Sequence, residues 1–234
     1  MNSLNHEIEA RLRRQGAVLV GFADLAALPV EARDGYLYGI SIAMELDPKI
    51  VNIVGNGPSH EYSDEYDRVN SLLNQLAESG ADLLKSRGFD ALAKTQSVVV
   101  QDKTTQRSKL PHKTVATKAG LGWIGKCALL ITEEYGSAIR ITTILTNAEL
   151  SVGAPITMSK CGKCDECKKI CPAGAISGIQ WQAGLDRDDF IKALDCDSML
   201  KERGNVIGHR HGSCGLCIWA CPWTQKHLKS RLVK

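Results

Sequence analysis

The chain has 234 residues, of which 44% are hydrophobic, and a formal net charge of +3. This length favours a main domain with a compact module over two large domains. No apolar run is long enough to span a membrane, and the polar stretch from Met1 to Arg14 lacks the apolar segment of a signal peptide. The sequence therefore predicts a cytoplasmic protein that is neither exported nor inserted into a membrane.

The nine cysteines predict metal or redox chemistry. A chain kept in the reducing cytosol does not depend on a disulfide framework. Eight of the cysteines lie between Cys161 and Cys221, which is the number that two four-thiolate clusters need. Because each oxidised cubane with four thiolates carries a charge of about −2, the positive formal charge is weak evidence for nucleic-acid binding.

Hydrophobic periodicity predicts an α+β domain before the cysteine-rich region. The longest predicted helix has apolar residues at helical spacing and ends at Gly88. The predicted elements are a helix around Leu4 to Leu12, strands at Ala17 to Phe22 and Tyr36 to Leu46, a loop at Gly55 to Ser59, a helix at Ser63 to Arg87, a strand at Ser97 to Val100, a helix at Lys113 to Lys118, and a strand pair formed by Cys127 to Thr132 and Ala138 to Leu145.

The first cysteine motif is Cys161-x2-Cys164-x2-Cys167-x3-Cys171-Pro172. This is the bacterial ferredoxin spacing, in which three close thiolates hold one cubane and the fourth cysteine crosses to the other cluster. Structural zinc is the alternative, but zinc sites normally pair their cysteines two by two across a longer spacer. The motif therefore predicts iron–sulfur clusters.

The second motif, Cys214-x2-Cys217-x3-Cys221-Pro222, lacks its leading cysteine, and His211 stands at that position. Cys196, on a predicted helix from Asp188 to Leu200, is the other nearby thiol and is assigned as the missing ligand. A histidine ligand at His211 is the alternative, and it would raise the cluster potential. The predicted ligands are Cys161, Cys164, Cys167 and Cys221 for cluster one, and Cys171, Cys196, Cys214 and Cys217 for cluster two.

A glycine-rich loop contains a formal G-x-G-x-x-G, but a helix precedes it and a strand follows it, which is the reverse of a dinucleotide-binding motif. Its glycines can let the backbone pass close to a flat or bulky group. The alternative is a tight helix-to-strand turn with the tryptophan in the core. The residues of the loop are Ala119, Gly120, Leu121, Gly122, Trp123, Ile124, Gly125 and Lys126.

The segment from Lys118 to Lys126, Gly136-Ser137, both cysteine motifs and the displaced Cys196 together resemble the epoxyqueuosine reductase family, which is distantly related to reductive dehalogenases. The resemblance implies a nitroreductase-like corrinoid-binding domain at residues 1–155, followed by a ferredoxin-like module with two [4Fe-4S] clusters and a basic tail at residues 156–234. It implies that cobalamin lies against the loop from Ala119 to Lys126 and is reduced by the clusters, and that ferredoxin or flavodoxin donates electrons.

The chain departs from the family pattern at two places. The family's acidic residue ahead of the loop has no clear match, and Gln106 lies near its expected position. Full-length members continue into a helical-repeat domain that helps to hold tRNA, whereas this chain ends 11 residues after Trp223. Both departures weaken the expectation of a tRNA partner more than the expectation of a corrinoid.

Several residues outside these motifs allow two interpretations. His112 and Lys113 are candidates for proton donation or anion binding, or they are solvated residues at a helix start. Cys127 is predicted to be a small buried thiol. The basic tail is either a frayed terminus or a docking patch, and it comprises Lys226, Lys229, Arg231 and Lys234.

Three functions remain open at this point. The first is a corrinoid and iron–sulfur oxidoreductase. The second is an electron-transfer or corrinoid-handling protein without an organic substrate of its own. The third is a corrinoid-free ferredoxin with an elaborated additional domain.

Overall fold

A computed structural model describes residues 3–95, 98–99, 101–102, 104–209 and 214–232. The chain forms two compact units, each assembled from separate stretches of sequence. Unit 1 consists of Met1–Met44, Val69–Gly122 and Arg140–Ile156, and unit 2 consists of Glu45–Arg68, Trp123–Ile139 and Thr157–Lys234. The predicted mixture of helices and strands is present.

The described strands are β1 (Leu19–Asp24), β2 (Tyr38–Glu45), β3 (Ala91–Ala93), β4 (Gln101–Asp102), β5 (Arg107–Ser108), β6 (Trp123–Ile124), β7 (Leu130–Ile131) and β8 (Ile139–Thr146). They are short, apart from β1, β2 and β8 of the central sheet.

The described helices include one long helix and several of only one or two turns. They are α1 (Ser3–Arg14), α2 (Pro48–Ile53), α3 (His60–Ser86), α4 (His112–Lys118), α5 (Glu166–Ile170), α6 (Arg187–Phe190), α7 (Ala193–Val206), α8 (Leu216–Trp219) and α9 (Pro222–Leu232). In the described ranges, no helix combines the length and the apolar character needed to cross a membrane.

A four-stranded sheet in the order β1-β2-β8-β3 forms the centre of unit 1. β1 pairs antiparallel with β2, with Phe22 opposite Ile40, and β3 pairs antiparallel with β8. α4 packs on β1, and a buried apolar cluster lies between them, since strands with one covered face place alternate apolar side chains there. Its buried members are Ala23, Leu25, Leu110, Val115, Ala119 and Leu145.

One part of the predicted secondary structure is wrong. β8 does not pair with the strand before it but lies in the central sheet, and β7 pairs with β6 instead. One helix was not predicted: α2 precedes the predicted loop at Gly55 to Ser59, and its N-cap Asp47 accepts a hydrogen bond from the backbone N–H of Lys49. A proline at the first helical position suits this start because it has no N–H to satisfy.

Two other predictions concern segments that the structure describes only in part. The predicted strand at Ser97 to Val100 begins and ends on residues outside those described, while Val98 and Val99 both donate their backbone N–H to the Thr95 carbonyl. The C-terminal segment is not frayed as far as it is described, because α9 continues to Leu232 and the Arg231 guanidinium donates to Glu45 over 3.1 Å.

Unit 2 consists of short helices and a two-stranded hairpin. α8 contacts α5, α2 and α9, and α2 also contacts α9. The backbone N–H of Ser159 donates to the Trp181 carbonyl, and that of Lys192 donates to the Ala175 carbonyl. These bonds tie the cysteine-rich chain together where regular secondary structure is scarce.

A glycine in unit 1 provides a test of the packing beside α4. A Cβ on Gly153 would lie 2.3 Å from the Ala119 carbonyl oxygen, and the Gly153 N–H donates to the Phe22 carbonyl over 2.9 Å. We expect Gly153→Ala to destabilise the protein by about 1–3 kcal/mol, because the backbone must shift to accommodate the methyl group. Thermal unfolding followed by circular dichroism measures this change.

The neighbouring Val152→Ala variant is the control, since Val152 is exposed. An unchanged melting temperature for Gly153→Ala would contradict this packing.

Candidate functional site

Five cysteines of unit 2 line a cavity of about 70 Å³. Four of them are the residues predicted as the ligands of cluster one, and a fifth was not assigned to either cluster. The lining residues are Cys127, Ile131, Cys161, Cys164, Cys167, Cys221, Pro222 and Trp223. The structure thus brings both ends of the cysteine-rich segment to one place, which supports the predicted exchange of ligands between the two motifs.

Local backbone geometry directs the first three sulfurs of this cavity. The backbone N–H of Cys164 donates to the Cys161 carbonyl, closing a turn. Gly162 occupies this turn with a φ of +56°, a conformation that glycine adopts without steric cost. Cys167 follows in the first turn of α5. A short loop and one helical turn therefore position three thiols on one side of the chain.

Cys221 reaches the cavity at the start of α9. Pro222 is the first residue of that helix, and the backbone N–H groups of Thr224 and Trp223 hydrogen-bond to the Cys221 thiol. Free N–H groups at a helix start favour negative charge. They would stabilise Cys221 as a thiolate ligand.

Of the predicted ligands of cluster two, Cys171 and Cys214 lie near Cys196. The Cys196 residue keeps contact with solvent, but burial of its thiol raises its pKa, and the nearby Cys171 and Cys214 add to this effect. Cys196 lies in the first turn of α7, where its N–H donates to the Lys192 carbonyl. His211, the alternative ligand, lies outside the described residues.

Two of the thiols predicted for cluster one, Cys167 and Cys221, resist ionisation in the protein without metal. A hydrogen bond with Cys127, followed by burial, raises the pKa of Cys167. Burial raises the pKa of Cys221, and the charges of Cys161 and Cys167 add to it. Metal ligation removes this cost because the metal replaces the thiol protons. The site therefore suits a strongly thiophilic cationic group.

The arrangement of the sulfurs favours a multi-iron cluster over a single ion. Among the residues described, no three Cys, His, Asp or Glu side chains converge closely enough to hold one metal ion. A structural zinc site needs four ligands at about 2.0–2.3 Å from one centre. Sulfurs spread around a cavity fit a cubane better.

The glycine-rich loop contributes to both units, and two of its glycines are needed by the packing of the chain itself. A Cβ on Gly120 would lie 2.6 Å from the Ala154 carbonyl oxygen, and a Cβ on Gly125 would lie 2.3 Å from the Ile131 side chain. At these two positions, close packing of the chain itself explains why the residue is glycine. The corrinoid-binding role of the loop stays a prediction.

Two residues at the end of the loop are fixed within unit 2. Trp123 is fully buried, and its ring meets Trp223 edge to face with centroids 5.1 Å apart. The Trp123 indole N–H has no hydrogen-bond partner within the described part of the chain. Lys126 is buried and donates to the Asp165 carboxylate over 2.8 Å. Asp165 lies between two predicted cluster ligands, Cys164 and Cys167. The ion pair therefore holds Lys126 against the segment that carries these two cysteines.

His112, a predicted catalytic residue, lies at the start of α4 in unit 1. Its Nδ1 is 2.9 Å from the Thr143 hydroxyl oxygen. Burial, helped by the positive charges of Arg140 and Lys94, lowers the pKa of His112 to about 4. The imidazole is therefore neutral at physiological pH and offers no positive charge to an anion. Lys113 follows in the same helical turn.

Sequence reasoning missed the position of Cys127 and the Lys126–Asp165 ion pair. Cys127 follows the glycine-rich loop directly, but the strand pairing predicted for this region was wrong, so its proximity to the cysteine motifs could not be inferred. Sequence reasoning also missed Asp102, which lies in the β4–β5 hairpin together with Gln106. The Thr104 hydroxyl, with the N–H groups of Thr104 and Thr105, lowers the pKa of Asp102.

Comparison with protein families identifies the cysteine-rich region. Residues 160–224 match the model of a family described as a 4Fe-4S double cluster binding domain. This match confirms the predicted double-cluster module.

The resemblance inferred from the sequence is confirmed by similarity to known proteins. Epoxyqueuosine reductase of Pseudomonas aeruginosa is 27% identical over 210 residues, which cover 84% of this chain and 54% of that protein. Other curated epoxyqueuosine reductases align over about a third of their length. The chain thus spans about half or less of the relatives that it matches.

Solved structures establish a shared fold. An epoxyqueuosine reductase crystallised with an epoxyqueuosine-modified tRNA-Tyr stem loop has a TM-score of 0.64 and 19% identity, covering 95% of this chain and 65% of that one. The catabolic reductive dehalogenase NpRdhA has a TM-score of 0.70 and 19% identity, covering 96% of this chain and 33% of that one. The mixed α/β fold is therefore common to all three proteins.

The ligand assignment of Cys196 can be tested by iron analysis. Two cubanes correspond to about eight iron atoms per chain in protein purified without oxygen. We expect Cys196→Ser to lower this number to about four, because one cluster loses a thiolate while the other keeps its set. The exposed Ser198→Ala on the same helix is the control. His211→Ala should leave the iron content unchanged, and a loss there would make the histidine the ligand.

The neutral state of His112 can be tested by an NMR titration. Its pKa in the folded protein lies below the usual value of about 6.5, so the stability gained from neutral His112 is complete above that pH and is lost as the pH falls towards about 4. In protein with labelled histidines, we expect the resonance missing from His112→Gln to show no transition between pH 8 and about 5.5.

The variant Arg140→Gln should raise the titration midpoint of His112, because it removes a neighbouring positive charge. A wild-type midpoint near the ordinary histidine value would contradict the buried, neutral imidazole.

Proposed function

We propose that this chain is an iron–sulfur and cobalamin-dependent oxidoreductase that resembles epoxyqueuosine reductase. The observation that carries the proposal is the ring of four cysteines, from both ends of the double-cluster domain, around one cavity. It occurs in a chain that aligns over most of its length with a curated epoxyqueuosine reductase. We propose residues 1–155 as a nitroreductase-like corrinoid-binding domain and residues 156–234 as the cluster module.

In this proposal the eight cysteines of the two predicted sets hold the clusters. When bound, the clusters and a corrinoid would supply one-electron transfer and low-potential reductive chemistry. The chain contributes position: the α9 start directs N–H groups at Cys221, and the Lys126–Asp165 ion pair holds the loop between Cys164 and Cys167. Both contacts stabilise the geometry of the ligands.

We propose that the corrinoid is held by the loop from Ala119 to Lys126. Within that loop, packing of the chain does not account for every feature. The buried Trp123 N–H lacks a partner among the described residues, and a buried donor without a partner costs about 1–3 kcal/mol. This N–H has no accessible surface in the structure, so a polar group of a bound cofactor would reach it only after the neighbouring side chains move. Gly122 is buried beside this residue.

His112 and Lys113 are the proposed residues for handling a proton or an anionic group. Since His112 is neutral at physiological pH, it would hold a proton on one ring nitrogen and offer the other as a hydrogen-bond acceptor, with Thr143 bound at Nδ1. Of the two proposed residues, Lys113 is then the one that can offer positive charge to an anionic group. This division of roles refines the expectation drawn from the sequence, in which both residues served either purpose.

The proposed partners follow from the cofactors. A low-potential donor such as ferredoxin or flavodoxin would supply electrons to the clusters in the cytoplasm. One structure with this fold is an epoxyqueuosine reductase with a tRNA stem loop, and a tRNA partner is the corresponding proposal for the present chain.

A second function is supported by the hairpin ahead of the loop. Gln106 stands near the position of the family's acid and has a φ of +55°. The Asp102 carboxylate is held ionised by its hydrogen bonds, so it does not donate a proton at neutral pH. A protein that transfers electrons to a corrinoid, or delivers one, needs no such acid. An electron-transfer or corrinoid-handling role is therefore the alternative.

Cobalamin binding distinguishes these functions from a corrinoid-free ferredoxin. We expect the anaerobic protein to retain cobalamin and Gly122→Val to lose it, because the added side chain would occupy the space of the corrin ring. Visible spectra and cobalt analysis measure binding, and iron content controls for folding. Gly122→Ala should give a smaller loss. Wild-type protein that binds no cobalamin in any oxidation state would contradict both corrinoid functions.

A further inference from the structure

A groove of about 330 Å³ lies on unit 2 between α5, α8 and α9. It shares no lining residue with the cysteine-lined cavity described above. The residues that line it are Glu166, Lys169, Ile170, Trp219, Ala220 and Gln225. All six belong to unit 2, and none of them is a predicted cluster ligand. The groove is therefore distinct from the candidate cluster site.

The groove borders the two cysteines that are predicted to cross between the clusters. Ile170 is the last residue of α5, and Cys171 follows it directly. Ala220 follows α8, and Cys221 comes next. Cys171 is assigned to cluster two and Cys221 to cluster one. Since electron transfer requires redox centres to come close together, a redox group seated in this groove would be well placed to deliver electrons.

Trp219 gives the groove a fixed aromatic wall. The Gly55 backbone packs so closely against the indole that a Cβ on Gly55 would lie 2.6 Å from the ring. The Gln225 side-chain amide donates to the Trp219 carbonyl over 2.6 Å, which ties α9 to the end of α8. The Trp219 residue nevertheless stays only half-buried. A rigid tryptophan that is still accessible is a typical anchor of a protein interface, because binding costs it little side-chain freedom.

Positive charge flanks this aromatic wall. The sequence of α9 contains no acidic residue and three basic ones, Lys226, Lys229 and Arg231. Lys229 lies four residues after Gln225, so it shares the helix face that reaches the groove. Lys169 has a side chain 69% exposed and pairs with Glu166 over 2.7 Å. An apolar centre with a charged rim is the usual anatomy of an interface, and this excess of positive charge favours an acidic partner.

We propose that this groove is the docking site of an acidic flavoprotein that carries single electrons, as flavodoxin does. The apolar edge of the flavin would stack on Trp219, and carboxylates of the carrier would face Lys169 and Lys229. The reduced flavin is then oxidised by one electron, an oxidised cluster is reduced by the same electron, and no bond forms between the proteins. This inference rests on the proposed function, since it requires bound clusters, and it gives the proposed donor a site on the chain.

The test uses anaerobic protein loaded with its clusters, and flavodoxin as the carrier. Stopped-flow absorbance measures the rate at which fully reduced flavodoxin reduces the clusters, and calorimetry with oxidised flavodoxin measures docking without electron transfer. Reduced methyl viologen is the control reductant, because a small cation needs no positively charged docking surface. The variants are Lys169→Glu, Lys229→Glu, Trp219→Leu and, as a control with the same change in charge, Arg14→Glu on the exposed end of α1 in unit 1.

At low ionic strength, we expect each lysine variant to lower the rate with flavodoxin roughly tenfold, because a repulsive charge replaces an attractive one. High salt should remove most of this difference, whereas Trp219→Leu should weaken docking at any salt concentration. All variants should keep about eight iron atoms per chain and the wild-type rate with methyl viologen. Arg14→Glu should match the wild type throughout. If Trp219→Leu loses iron, the two lysine variants decide.

Several results would overturn the inference. One is wild-type protein that methyl viologen reduces but flavodoxin neither binds nor reduces, and another is an unchanged flavodoxin rate in both lysine variants. Faster reduction by ferredoxin, with the same dependence on the lysines, would replace the flavoprotein by an iron–sulfur carrier. A tRNA stem loop that both lysine substitutions release, without any flavodoxin binding, would assign the groove to RNA. Wild-type protein without two clusters would instead refute the proposed function itself.

Discussion

The burial of several thiols around one cavity is the constraint on which unit 2 depends. Isolated thiolates are costly in such surroundings, and the pKa values of Cys167 and Cys221 are raised accordingly. A cationic iron–sulfur core offsets this cost by replacing the protons. Because a preformed metal site rarely exists in an unfolded chain, metal ligation would contribute directly to the folding free energy of this unit.

Segments from the middle of the chain complete this unit. Trp123 packs against Trp223, and the Thr224 hydroxyl accepts a hydrogen bond from the Ser137 N–H over 3.0 Å. The Glu45 carboxylate bonds to His227 over 2.8 Å. These contacts fix α9, whose first residues follow Cys221. A cluster-binding sequence motif is thus supported by residues far from it in the chain, which explains why the compact unit is larger than the matched family region.

The notable feature of unit 1 is the buried, neutral imidazole of His112. Its central sheet and α4 place His112 beside Thr143 and near two positive charges, and together with burial they keep the imidazole neutral. A neutral histidine with one ring nitrogen bound can exchange protons through the other. In the proposed reaction, electrons would come from the clusters and protons from other groups.

The sequence by itself determined the double-cluster module, because cysteine spacing encodes local geometry that needs no tertiary information, as at Cys161, Cys164 and Cys167. Periodicity likewise located α1, α3 and α4. Only the tertiary structure decided the pairing of β8, the position of Cys127 at the cavity that the predicted cluster-one cysteines line, and the neutral state of His112. These depend on contacts between residues distant in sequence, and hydrophobic periodicity carries no information about which distant segments meet.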